Sequence, residues 1–204
     1  LVAFPTETVY GLGADARSAE AVRLIYQVKG RPSTDPLIVH VASLESAEAL
    51  VNTAVTNSWQ LDALRSLAEE FWPGPLTIIL PAHPSLVAFE VTSGTGWVGL
   101  RSPAHPVAQR FLQHCDVPVA APSANLFGHV SPTTAAHVWN DFPHVDNLWI
   151  LDGGRCGFGI ESTVVRVNSN RTLDIFRRGG VGLQQISENL FRSGLLAQTQ
   201  QENI

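Results

Sequence analysis

The chain contains no methionine, and of its 13 basic residues only Lys29 is a lysine. A sequence that otherwise uses arginine throughout keeps one compact ammonium, which suggests that position 29 needs a lysine. The two cysteines, Cys115 and Cys156, are too few for a disulfide framework and lack metal-ligand spacing, so they read as free core thiols. The longest apolar run, near Leu37–Ala42, falls far short of the ~20 residues that cross a bilayer. No charged, apolar, small-residue leader opens the sequence, and the expectation is a cytoplasmic protein with no membrane partner. Because methionine is missing and Leu1 lies inside an apolar run, the natural start is expected upstream, with the first strand truncated.

What is present is enough for a core. The 204 residues are 45% hydrophobic and 15% charged, which excludes disorder and suits one compact domain. The formal net charge of −5 argues against a protein whose main task is to grip nucleic-acid backbone, since that affinity comes from Lys and Arg neutralising phosphates. A local basic cluster can still hold a small anion.

Periodicity and punctuation predict strands near Leu1–Phe4, Pro36–Ala42, Leu76–Leu80, Trp97–Arg101, Val117–Ala121, Leu148–Asp152, Ser162–Val167 and Leu173–Arg177. Helices are expected from Ser18 as N-cap to Gly30, over Leu44–Val51, Trp59–Phe71, Ala104–His114 and Pro132–Phe142, and over Leu183–Arg192. Strands interleaved with helices, plus a late hairpin, give an α/β domain with a twisted, mixed, mostly open sheet flanked by helices. The expected boundaries are one domain over residues 1–182 and a C-terminal helix and tail over 183–204.

Several constellations carry chemistry. Lys29-Gly30-Arg31-Pro32 places two cations just beyond a helix, where they suit an oligophosphate; alternatively they offset the helix macrodipole by ~0.3–1 kcal/mol. Pro122-Ser123-Ala124-Asn125 follows a buried strand, where open α/β sheets place a ligand crevice, and Ser131-Pro132 offers a helix-start anion site or an ordinary cap. Pro5–Gly13 carries hydroxyls, a carboxylate and a loose dinucleotide fingerprint that is discounted for want of a strand immediately before it. Arg101 ends a strand and could clamp a carboxylate or pair with a nearby acid; His40, Glu161-Ser162-Thr163 and Arg177-Arg178 are further candidates. Because these residues fall at strand and helix ends, they are expected to gather along one edge of the sheet.

Read in order, FPTETVYGLGADA, KGRPSTDPLIVHV, FWPGPLT, GLRSPAHPVA, APSANLFGHVSPT and GIESTVV resemble the YrdC/Sua5 family of L-threonylcarbamoyladenylate synthases over roughly Leu1–Val181. The resemblance implies a YrdC-like α/β fold and a nucleotidyltransferase that condenses L-threonine, bicarbonate and ATP to threonylcarbamoyl-AMP with release of pyrophosphate. The product serves modification of the adenosine beside the tRNA anticodon, through handover to a tRNA threonylcarbamoyl transferase complex, with at most a weak direct contact to tRNA. Carried over residue by residue, Lys29 and Arg31 become catalytic cations that also bind ATP, together with Ser123, Asn125, Asp35, Ser131 and Arg177, and Trp97 through its backbone. The threonine pocket is Thr8, His40, Arg101, Ser162 and the backbone at Ala121. Mg²⁺ would arrive with ATP, since no dedicated carboxylate cage is visible and no residue is assigned as a metal ligand. Loss of either cation is expected to abolish activity with little change in stability.

Arg178 departs from the family's Arg-Pro-Gly pattern and calls the pose of Arg177 into question. Two rivals stand beside this reading. One is an RNA-binding or ribosome-maturation module of the same fold, which the acidic balance opposes. The other is a carbamoyl-transfer domain of a larger hydrogenase-maturation enzyme.

Overall fold

In the central strands every second residue is apolar and buried, and this alternation decides which way each strand faces. A computed structural model describes residues 1–196; the predicted tail over 197–204 lies outside the described residues. The strands are β1 (Val2–Pro5), β2 (Tyr10–Asp15), β3 (Ile38–His40), β4 (Leu76–Pro81), β5 (Trp97–Arg101), β6 (Val119–Ala120), β7 (Trp149–Ile150), β8 (Thr163–Val167) and β9 (Leu173–Arg177). They form one mixed sheet in the order β7-β1-β2-β6-β3-β5-β4-β8-β9. The helices are α1 (Ala19–Lys29), α2 (Leu44–Glu48), α3 (Ser58–Phe71), α4 (Phe89–Thr92), α5 (Pro106–Cys115), α6 (Ala135–Asp141) and α7 (Leu183–Arg192).

Val39, Ile78, Leu80, Val98, Leu100, Val165 and Val167 enter one core with Ile25, Leu64, Leu67, Ile186 and Leu190 of α1, α3 and α7. Each such side chain contributes roughly 1.5–3 kcal/mol when fully buried. A smaller cluster of Phe4, Ala108, Leu112, Val119 and Ala121 seats α5. The alternate residues of β3, β5, β4 and β8 face away from that core and floor a cleft, while α5 covers the same side of the sheet at its β1–β6 end.

The α1 helix shows how local chemistry delivers a functional residue. Ser18 caps its first turn by accepting from Ala21 N at 3.2 Å, and Gly30 closes it in the left-handed region at φ 62°, donating to Gln27 O. The last residue, Lys29, is thereby turned inward and is only 2% exposed.

Two elements are additional to those the sequence predicts, and one expectation is corrected. The Tyr10–Asp15 segment is strand β2, paired antiparallel with β1, because Gly13 sits where a Cβ would meet Val119 Cγ1 at 2.8 Å; small residues here serve close packing. The short helix α4 was not foreseen. The helix expected from Pro132 begins at Ala135, with Thr134 as N-cap accepting from His137 N at 3.3 Å; Ser131 is therefore not a cap.

Candidate functional site

The open face of the sheet holds a cavity of about 450 Å³. Its floor is built by register. Ile38 pairs with Gly99, Gly99 with Ile79, and Ile79 with Arg166, giving one row across β3, β5, β4 and β8. Two residues along the strands, roughly 6.6 Å away, runs a second row in which His40 pairs with Arg101, and Thr77 pairs with Val164, which pairs with Arg177. The site is thus laid across the face of the sheet. The expected edge site is corrected, although His40, Arg101 and Arg177 do end their strands.

Four guanidinium groups, those of Arg31, Arg101, Arg166 and Arg177, line the cavity against one carboxylate, Glu161. A chain of net charge −5 has therefore concentrated positive charge in this cavity. Arg31 Nε and His40 Nδ1 are buried without a hydrogen-bond partner, and such unpaired buried groups point to a ligand or water that would complete them.

Of the predicted residues, Arg31, His40, Trp97, Arg101, Ala121, Ser123 and Arg177 all line this cavity. The others do not. Lys29 Nζ donates to Ser123 O at 2.6 Å and to Asn125 O, so its ammonium is taken up by backbone and props the loop that presents Ser123. Burial, reinforced by the charge of Arg31, pushes that ammonium down to about 8. Two of its three N–H groups are thus engaged by backbone, so Lys29 has a structural role beside the phosphate-binding one expected of it. Asn125 sits beneath the same loop, donating from Nδ2 to Leu126 O and His129 O at 2.8 Å each.

Thr8 and Ser162 are fully buried and lie behind the arginines. Thr8 Oγ1 accepts from Arg101 Nη2 at 3.0 Å; Ser162 accepts from Arg177 through its carbonyl at 2.9 Å and its hydroxyl at 3.0 Å. Both therefore aim a guanidinium that lines the cavity. Asp35 stands outside the cavity, 3.7 Å from Arg31 Nη2. Ser131 donates to Glu161 Oε1 at 3.3 Å, and Glu161 Oε2 lies 2.7 Å from Arg177 Nη1.

Arg101 is fixed by Glu7, whose Oε1 lies 2.7 Å from Arg101 Nη2 while its Oε2 accepts from Ala104 N at 2.9 Å. No hydrogen bond among the described residues uses Arg101 Nη1. Burial, with the charge of Arg101 adding to it, drives the His40 imidazole down to about 3, so it is neutral at physiological pH. Arg178, which stands where the family pattern has proline, is exposed, and Gly179 packs so closely that a Cβ would fall 2.2 Å from Glu161 O. Burial pulls the Arg177 guanidinium below its ordinary range, and Glu161 opposes this.

Sequence reasoning missed Arg166, Phe176, Thr77 and Ile79 as lining residues. The signal was the period of two in Thr77-x-Ile79, Trp97-x-Gly99-x-Arg101 and Val164-x-Arg166, which alternates with the core residues Ile78, Val98, Leu100 and Val165 and so marks the face opposite the core.

The family Sua5/YciO/YrdC, described as telomere recombination, matches residues 1–179. The chain is 45% identical to a threonylcarbamoyl-AMP synthase of Bacillus subtilis over 91% of its length and 51% of that protein's. It is likewise 45% identical to one of Schizosaccharomyces pombe, over 92% of this chain and 50% of that protein. A crystal structure of P. abyssi Sua5 complexed with L-threonine superposes with a TM-score of 0.85 at 43% identity, covering 93% of this chain and 53% of that one. The chain spans about half the length of these relatives. No helix among the described residues is long and apolar enough to cross a membrane. Matched by the family model over residues 1–179, by relatives 45% identical over nine-tenths of its length and by the superposed fold, the chain belongs to the Sua5/YciO/YrdC family.

Proposed function

We propose that this chain carries the active site for condensing L-threonine, bicarbonate and ATP to threonylcarbamoyl-AMP and pyrophosphate, a nucleotidyl transfer serving tRNA modification. One observation carries the reading: four arginines converge on a single cavity beside a neutral histidine, in a chain 45% identical to named synthases. An anion with several charges suits such a cavity, and a polyphosphate is the ATP feature that needs it.

In this reading the threonine carboxylate takes the free Nη1 of Arg101, while Glu7 and Thr8 hold the other end of that guanidinium. His40 and the backbone at Ala121 bound the same pocket. The threonine amine and bicarbonate form an N-carboxylate with loss of water, and one of its oxygens attacks the α-phosphorus as pyrophosphate leaves. No protein nucleophile is required, so rate enhancement comes from alignment and from fixed positive charge. Arg31 and Arg177 offset charge gathering on the phosphates, and Ser123 supplies a hydroxyl and backbone donor beside them. Lys29 and Asn125 also act through the loop they support, and Ser131 through Glu161. Mg²⁺ enters as part of the nucleotide substrate.

Pyrophosphate release tests the proposal. It is expected only when ATP, Mg²⁺, bicarbonate and L-threonine are all present, and Arg31→Ala should abolish it. Release that ignores threonine, or RNA affinity that falls steeply with salt without any release, would favour the RNA-binding rival.

A further inference from the structure

The segment that follows β6 is held in two halves. Its inner half is tied to β2 and α1: Leu12 N donates to Pro122 O and Ala124 N to Tyr10 O, each at 2.8 Å, and Lys29 Nζ donates to Ser123 O and Asn125 O. The outer half stands away from the core, with Phe127, Gly128, His129 and Val130 all exposed. Such a loop keeps one conformation only where its backbone groups are claimed.

Asp141 does the claiming. Its Oδ2 accepts from Leu126 N at 2.9 Å and its Oδ1 from His129 Nδ1 at 3.1 Å, so one carboxylate spans a turn that His129 N closes on Leu126 O at 3.0 Å. For its own helix the acid is badly placed. Asp141 is the last residue of α6, where the macrodipole presents its negative end and disfavours a carboxylate. The loop, and not the helix, is what this side chain serves.

Its charge reaches further. The buried Lys29 ammonium feels three charged groups: Arg31 opposes its positive charge, while Asp141 and Glu161 favour it. Glu161 is already paired with Arg177 Nη1 at 2.7 Å. Asp141, its side chain 20% exposed, has His129 as its one ion-pair partner among the described residues. A neutral amine donates more weakly than an ammonium, so the hold of Lys29 on the two carbonyls depends on that charge.

Resting on the reading that Lys29 and the 123–125 loop serve the condensation, we propose that Asp141 is a positioning residue of that reaction. It holds the outer half of the loop through Leu126 and His129, and it supplies the counter-charge with which Lys29 clasps the inner half. One carboxylate thereby couples the two halves.

Because Lys29 is the sole lysine, protein labelled with carbon-13 at lysine Cε gives one lysine resonance, whose titration reports that ammonium alone. In Asp141→Asn, which keeps an oxygen for Leu126 N and loses the charge, the midpoint should fall by about half a pH unit or more. Asp141→Glu should restore it. In pyrophosphate release, Asp141→Asn should lose about tenfold in kcat while KM for L-threonine holds, since His40 and Arg101 stand on β3 and β5. His129→Ala leaves the charge in place and should lower kcat about threefold with no movement of the midpoint. An unmoved midpoint in Asp141→Asn, wild-type kcat in either variant, or a KM for L-threonine that rises as kcat falls would overturn the assignment. Should Asp141→Asn not fold, His129→Ala still decides, wild-type kcat again counting against it. Wild type without threonine-dependent release fails the proposed function instead, and the Lys29 midpoint still decides the counter-charge.

Discussion

Glu7 and Arg101 form a buried ion pair at 2.7 Å, with side chains 10% and 5% exposed, across a separation of 94 residues in sequence. The acid's second oxygen is satisfied by the Ala104 amide, so the pair also ties the turn after β1 to the segment beyond β5. A charged pair taken out of water holds only while both partners are present.

Glu7→Gln is therefore expected to lower stability by about 3–5 kcal/mol, because the Arg101 guanidinium is left buried without its counter-charge. Urea denaturation of the variant checks this. A loss below about 1 kcal/mol would mean that water or the cleft already solvates Arg101.

The two motif cations should part company. Lys29→Met strips the donor from Ser123 O and Asn125 O and should cost about 1–3 kcal/mol, lowering the melting temperature together with activity. Arg31, whose protein contacts are a 3.5 Å bond to Pro36 O and a 3.7 Å pair with Asp35, should yield an Arg31→Ala variant within about 0.5 kcal/mol of wild type and yet inactive. Thermal melts of the two variants side by side decide the matter. Equal melting temperatures would leave Lys29 without that structural role.

Acid should find His40. Its imidazole is held near 3 when folded against 6.5 as the ordinary value. As pH falls through that window the unfolded chain gains a proton that the folded chain refuses, so stability drops with falling pH, by an amount on the order of a few kcal/mol from this residue. Denaturant titrations at about pH 7 and about pH 4 should show a smaller acid loss for His40→Asn than for wild type. The same loss in both would place the acid sensitivity elsewhere.

Much of the fold was legible in the sequence, for stated reasons. Strand β5 was read at Trp97–Arg101 because its apolar run is bounded by glycines and a proline, and α1 because Ser18 and Gly30 mark both ends. Strand β2 escaped notice because Gly-Leu-Gly lacks β-branched residues; what makes it a strand is Phe4 and Val119 pressing on Gly13, a tertiary effect. For the site, composition and punctuation located the right loops but not the direction of side chains. Lys29 looked available because nothing local reveals that carbonyls nearly a hundred positions away will claim it. Phe176 shares the cleft face with Asp174 by alternation, whereas a bulge of register is what brings its neighbour Arg177 to the same face, and nothing in the local sequence announces that bulge.

The buried position of Lys29 has a practical corollary. As the chain's sole lysine is 2% exposed, the native fold offers acylating reagents no accessible ε-amine. Side-chain amine labelling therefore reports a single event, the release of the 123–125 loop, without any engineered probe.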